Sequence, residues 1–351
     1  MVAMRNVQTL ELLLNREINK YRAMSNVIGI GVLGSLAKGD LWECSDLDLV
    51  VLLKEAERDF YFEFDDQKGI PVDIMCITTK HMNAQPYVSS LFGCKVVYDP
   101  TNTLSGEVEK TNNIHFSDEE ISKRNQRHKD QAERFLEKAN YSLEEHDLPS
   151  AIEHSRQVVL HAGLIEVEKS HTIISHHRRI AKYLAAFHIL NHQDASSRFL
   201  EALRLNNVDE KVSQAYDKLV RQLFENSYPW IHKKLGENAA PQWADWAKKI
   251  SLHSVLNWRI LPIYRIGHSH ADFVDKVIDE CEEFAEIVFE VNNQRYDNVT
   301  LVFEGLQKIK DKPPRFYQIF QEALRANNLT YDETRKIADN AEDFINCLAR
   351  V

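Results

Sequence analysis

Along the first hundred residues the spacing of apolar positions changes several times. From Val7 to Met24 they recur every three or four residues (Leu10, Leu13, Leu14, Ile18, Tyr21), which predicts an amphipathic helix. The stretch "NVIGIGVLG" (26–34) is short and almost wholly apolar, as expected of a buried strand ending in a tight turn. "SDLDLVVLL" (45–53), "FYFEF" (60–64) and "GIPVDIMCI" (69–77) read as three more strands, with "DDQKG" as a hairpin turn between the last two. A helix from about Lys80 to Leu91 and a short strand "CKVVYD" (94–99) complete the unit.

Beyond residue 110 the helical period takes over. Ser117 and Glu120 have the spacing of a capping box, and helices are predicted at about 118–146, 150–169, 173–192, 195–205, 209–235, 241–264, 270–293, 297–310, 314–327 and 331–350. Glycine usage supports the same division, since seven of eleven glycines precede residue 107. The expected architecture is an α/β core over 1–110, a small mixed sheet with flanking helices, followed by an all-α domain over 111–351 that is open to division into two helical subdomains. The segment "DPTNTLSGEVEKTNNIHF" (99–116) reads as the connection, and no internal repeat is evident.

Composition narrows the function. A chain of 351 residues that is 44% hydrophobic can bury sizeable cores. Its net charge of −10 argues against holding long nucleic acid by phosphate neutralisation. Cys44, Cys76, Cys94, Cys281 and Cys347 include no CxxC pair, so neither a disulfide framework nor a zinc knuckle is expected, and a reducing cytoplasm fits. With no long apolar run, no membrane partner is expected.

The chemistry is concentrated in "GVLGSLAKGDLWECSDLDLVVLL" (31–53). Alternate residues of a strand share a face, so Asp46 and Asp48 point one way while Leu47 and Leu49 enter the core. Two adjacent carboxylates repel unless a cation lies between them, and hard oxygen ligands suit Mg²⁺, which completes its shell with water and substrate phosphates. Gly34 and Ser35 at the start of a short helix offer backbone N–H groups and a hydroxyl to an anion, and Lys38 stands one turn on. Together these residues suggest a metal-triphosphate site.

The pattern Gly34-Ser35, Ala37-Lys38-Gly39 and Ser45-Asp46-x-Asp48-Leu49-x-Val51 resembles the signature of the nucleotidyltransferase superfamily that includes DNA polymerase beta. The match covers about residues 25–100, and Asp73 in "PVDIMCI" stands where that family has its third acid. The helical remainder resembles the accessory domain of aminoglycoside and lincosamide nucleotidyltransferases. The resemblance implies transfer of a nucleoside monophosphate, most readily AMP from ATP, to a hydroxyl of a small acceptor such as an aminoglycoside-like antibiotic, with release of pyrophosphate. Two Mg²⁺ ions are implied: Asp46 and Asp48 would hold both, and Asp73 the one that activates the acceptor hydroxyl. Gly34, Ser35 and Lys38, with Ser45, would bind the nucleotide's phosphates. Alternatives are modification of a protein or RNA, or a weakly active nucleotide-binding regulator or toxin-antitoxin component.

Other constellations carry less. "SHHRR" (175–179) reads as a solvated helix start. Arg156 and His161 have an Rx4H spacing resembling that of helical ribonuclease domains, a spacing that also arises on any amphipathic helix. Glu144, Glu145 and Glu153 are candidate general bases that read more simply as solvated, and Trp230, Trp243, Trp246 and Trp258 with Tyr228 and Tyr264 read as helix packing.

Overall fold

The computed structural model describes residues 7–39, 45–66, 70–84, 88–173, 179–238, 270–292 and 294–348. They form two compact units, one up to Glu120 and one from Ile121 to Asn238 and on through the C-terminal helices.

The first unit is a five-stranded mixed sheet of β1 (Val27–Val32), β2 (Leu47–Leu53), β3 (Phe60–Asp66), β4 (Pro71–Thr78) and β5 (Lys95–Tyr98), in the order β3-β4-β2-β1-β5. β2 and β4 run parallel, and the other neighbours are antiparallel. β2 is apolar at nearly every position because both of its faces are covered. Leu47, Leu49, Val51 and Leu53 pack with Leu10, Leu13 and Tyr21 of α1 (Val7–Arg22). Val50 and Leu52 join Met75, Ile77, Leu91, Leu104 and Val108 on the opposite side.

Two elements differ from the sequence reading. Where one helix was expected over 80–91, there is a short α2 (Thr79–Asn83), whose Thr78 side chain accepts from the His81 amide, and a separate 3₁₀ turn at Ser89–Leu91. Pro86 falls between them in sequence, and proline disfavours helix at the residue before it. The segment read as a connection contains the helix α3 (Thr103–His115). The Asp99 carboxylate accepts from the Thr103 and Ser105 amides at 3.1 and 2.7 Å and so caps it from outside. Glycine in β1 makes room on this side of the sheet: a Cβ on Gly29 would stand 2.9 Å from Leu104 Cβ of the helix, and one on Gly31 would stand 2.3 Å from Sγ of Cys94, just before β5.

The one-turn helix α4 (Gly34–Lys38) links β1 to the segment before β2. The second unit is helical: α5 (Asp118–Glu144), α6 (Leu148–Lys169), α7 (Arg179–Ile189), α8 (Gln193–Ala202), α9 (Glu210–Asn238), α10 (His270–Val291), α11 (Val302–Lys308), α12 (Phe316–Ala323) and α13 (Tyr331–Leu348). The helix expected over 241–264 lies outside the described residues, as do residues 175–178 of "SHHRR".

Contrary to the sequence reading, this unit contains a repeat. "FLEALRLNN" (199–207) returns as "FQEALRANN" (320–328). Exchanging α6–α9 with α10–α13 also preserves the packing: α6 lies on α13 as α10 lies on α9, α8 on α13 as α12 on α9, and α7 on α10 as α11 on α6. The repeated arginines adopt left-handed backbone, φ 60° and 52°, and reach across to each other. Arg204 donates to the Leu324 and Arg325 carbonyls at 3.0 and 3.2 Å, and Arg325 donates to the Arg204 carbonyl at 3.1 Å. These are helix-end acceptors, which favour cations.

Candidate functional site

Asp46, Asp48 and Asp73 come together at the end of the β2–β4 pair. Leu47 and Leu49 are fully buried and fix the rotation of β2, while Val72 and Ile74 do the same for β4. Because β2 and β4 run in parallel with Asp48 directly beside Asp73, the two carboxylates stand on one face. Asp46, just ahead of the strand, completes a set whose oxygens lie within 4.8 Å of one another, all partly exposed. Three carboxylates this close form a strongly negative spot of hard oxygen donors, and the donor set fits a divalent cation such as Mg²⁺.

Gly34 belongs to this site by contact. Its φ is +63°, and a Cβ built on it would stand 2.0 Å from Asp48 Oδ2. Both the left-handed backbone and the close carboxylate therefore require glycine. The Leu33 amide donates to the Asp48 carbonyl at 2.9 Å, so the turn is pinned to the strand that carries the acid. Ser35 Oγ donates to the buried Ser45 Oγ at 2.9 Å, which ties the Gly-Ser turn to the segment entering β2.

Lys38, at the far end of α4, is exposed and passes Gly93, where a Cβ would stand 3.4 Å from Lys38 Cε. α4 has only five residues, so whatever it offers an anion is the set of N–H groups of its first turn more than a long helix dipole. Asp65 sits on β3 opposite Val72, one register position away from Asp73 and so on the other face.

The helical candidates differ from this arrangement in chemical character. Glu144 and Glu145 are exposed, as expected of solvated glutamates, but Glu153 is fully buried and accepts from Gln157 Nε2 at 2.9 Å. Arg156 is locked between Asp275, at 2.8 Å, and Glu282. Asp275 also accepts from Arg179 Nε at 2.8 Å, and Lys276 pairs with Asp279 and Glu280 at 3.0 and 2.9 Å. His161 stacks on Phe135 at 5.5 Å, and burial holds its imidazole near pKa 4, so it is neutral at pH 7. The Rx4H pair is thus a packing feature, with the arginine spent on a buried ion network. Trp230 donates to Asp311 at 2.9 Å, while Trp243, Trp246, Trp258 and Tyr264 lie outside the described residues.

What sequence reasoning did not assign was the contact of Gly34 with the Asp48 carboxylate and the Ser35–Ser45 tie. Both signals were present as residue types; only the folded turn shows that they touch. Among the described helices none is long and apolar enough to cross a membrane.

Comparison with known proteins agrees with the geometry. No curated protein matches the chain significantly. Solved structures that match include a nucleotidyltransferase-like protein from Exiguobacterium sibiricum, 11% identical over 82% of this chain and 81% of that one, with a TM-score of 0.33, too low to bear on the assignment. Residues 15–159, which include β1, β2, β4 and all three carboxylates, match the nucleotidyltransferase domain family. Residues 15–159 therefore carry a nucleotidyltransferase domain.

Proposed function

We propose that this protein is a metal-dependent nucleotidyltransferase that moves a nucleoside monophosphate, AMP in the first instance, from an NTP to a hydroxyl of a small acceptor. The observation that carries the reading is the three-carboxylate cluster with Gly34 pressed against one of its members. Divalent metal bound there would neutralise the triphosphate and lower the pKa of an acceptor hydroxyl.

The chain's own residues then have separate tasks. Asp46 and Asp48 would hold the cation that accompanies the triphosphate, and Asp48 is kept in place by the β2 register and by Gly34. Backbone N–H groups of the Gly34-Ser35 turn and the Lys38 ammonium hold the terminal phosphates, while Ser45 fixes the Ser35 hydroxyl. Asp73 orients the acceptor hydroxyl and takes its proton as the oxygen bonds to the α-phosphorus. The bond from that phosphorus to the bridging oxygen breaks, and pyrophosphate leaves with the electron pair. Transfer to a hydroxyl of a small molecule agrees with the chain's net negative charge.

The test is calorimetry of Mg²⁺-ATP with the wild type and with the double variant Asp46→Asn/Asp48→Asn. Binding should need Mg²⁺ and fall below detection in the variant; unchanged Mg²⁺-ATP affinity there would overturn the assignment.

A further inference from the structure

β3 is an edge strand whose two faces differ. On the α1 side Glu63 accepts from Tyr21 Oη at 2.6 Å and Tyr61 packs against the core. On the other side Phe60, Phe62 and Phe64 follow one another as a ladder. The Phe62 and Phe64 rings are nearly parallel, 15° apart with centroids at 5.9 Å. Phe60 meets Phe62 edge-on at 5.2 Å and stacks on His81 at 4.9 Å.

Phe60 and Phe62 remain 40% and 38% exposed, two large rings side by side on an edge that folding alone would favour covering. The ladder ends at the carboxylates. Phe64 is paired with Asp73, and Asp73 with Asp48. Directly paired residues share a face at about 5 Å, so the rings and two of the acids occupy one surface.

We propose that this ladder is the acceptor platform, and that the acceptor is a nucleoside or mononucleotide whose base stacks on the exposed Phe62 ring while a sugar hydroxyl reaches Asp73. The inference rests on the nucleotidyl-transfer reading and adds the substrate class to it. Two residues of a strand advance about 6.6 Å, the scale of the step from a base to its sugar hydroxyls.

Phenyl faces stack on any flat π system without base preference. A polyol acceptor would instead need hydrogen-bonding partners, which Phe60, Phe62, Phe64 and the Met75 beside Phe62 do not supply. The net charge of −10 favours a single nucleoside unit over a polynucleotide.

The experiment uses the full chain with 4-fluorophenylalanine in place of phenylalanine, saturated with Mg²⁺ and a non-hydrolysable ATP analogue so that the donor site is filled. The ¹⁹F resonance missing in Phe62→Leu identifies Phe62. Guanosine and cytidine should each shift that resonance, whereas kanamycin should leave it in place. Phe62→Leu should weaken nucleoside binding about tenfold, the scale of one lost stacking contact. Phe62→Tyr, which keeps the ring, should restore it, with Mg²⁺-ATP affinity unchanged in both.

A Phe62 resonance unmoved by nucleosides, moved equally by kanamycin, or moved only by an oligonucleotide would overturn the proposal. So would a Phe62→Leu variant that binds nucleosides normally. Mg²⁺-ATP calorimetry on the wild type reports separately on the nucleotidyl-transfer reading: normal donor binding with a silent ladder defeats the platform alone, and absent donor binding defeats the reading beneath it.

Discussion

The sharpest perturbation of the site is a single methyl group. Gly34→Ala places a Cβ 2.0 Å from Asp48 Oδ2, and the oxygen must retreat by about 1 Å merely to reach the 3.0 Å below which real Cβ contacts are essentially not found. A shift of about 1 Å in a reacting constellation is worth roughly 10²-fold in rate. The variant also pays for alanine in left-handed backbone, about 1–2 kcal/mol. The two effects can be separated, because Gly39 has a similar φ of +71° and, among the described residues, nothing within 4 Å of its would-be Cβ. Gly39→Ala therefore carries the backbone strain without the collision. Both variants should melt a few degrees lower by circular dichroism, but only Gly34→Ala should lose Mg²⁺-ATP affinity in calorimetry and fall about 10²-fold in pyrophosphate release. Equal nucleotide binding and turnover in the two variants would refute the claim that Asp48 is positioned against Gly34.

Asp73→Asn should keep Mg²⁺-ATP binding yet lose about 10²- to 10⁴-fold in turnover, since its contribution is made in the transition state; kcat and ATP affinity on one preparation decide it. Arg156→Met should destabilise the helical unit by about 3–5 kcal/mol in urea unfolding, because it leaves Asp275 and Glu282 buried with one partner fewer. His154, buried with Nε2 2.7 Å from the Thr300 carbonyl, and His161 are both held near pKa 4 by burial. A depressed histidine pKa means that the unfolded chain takes up the proton first. Stability should therefore fall as pH drops from about 6.5 toward 4, by up to about 3 kcal/mol for His154, and His154→Gln should flatten that part of the urea-midpoint profile.

The strands and the carboxylates were legible because their signals are local. A period of two with buried leucines fixes which way Asp46 and Asp48 point, and a glycine at a strand end announces a turn. Helix α3 was not legible: only Leu104 and Val108 mark its apolar face, Gly106 interrupts it, and the carboxylate that caps it sits on Asp99, before the helix begins. Leu104 comes close to the sheet because Gly29 has no side chain there, a fact about two segments far apart in sequence.

The same holds for Glu153, whose burial depends on Gln157 and the surrounding helices and not on any pattern around it. The repeat hid because identity survives mainly in the turn where Arg204 and Arg325 bond reciprocally, while helix packing constrains the remainder only to be apolar on one face. Sequence alone thus determined the strands, most of the long helices and the acids, through steric and hydrophobic rules that act within a few residues. Tertiary structure decided which glycine meets which carboxylate, which charges are buried and which rings line the edge beside Asp73, because each of these depends on distances between chain segments that local pattern does not encode.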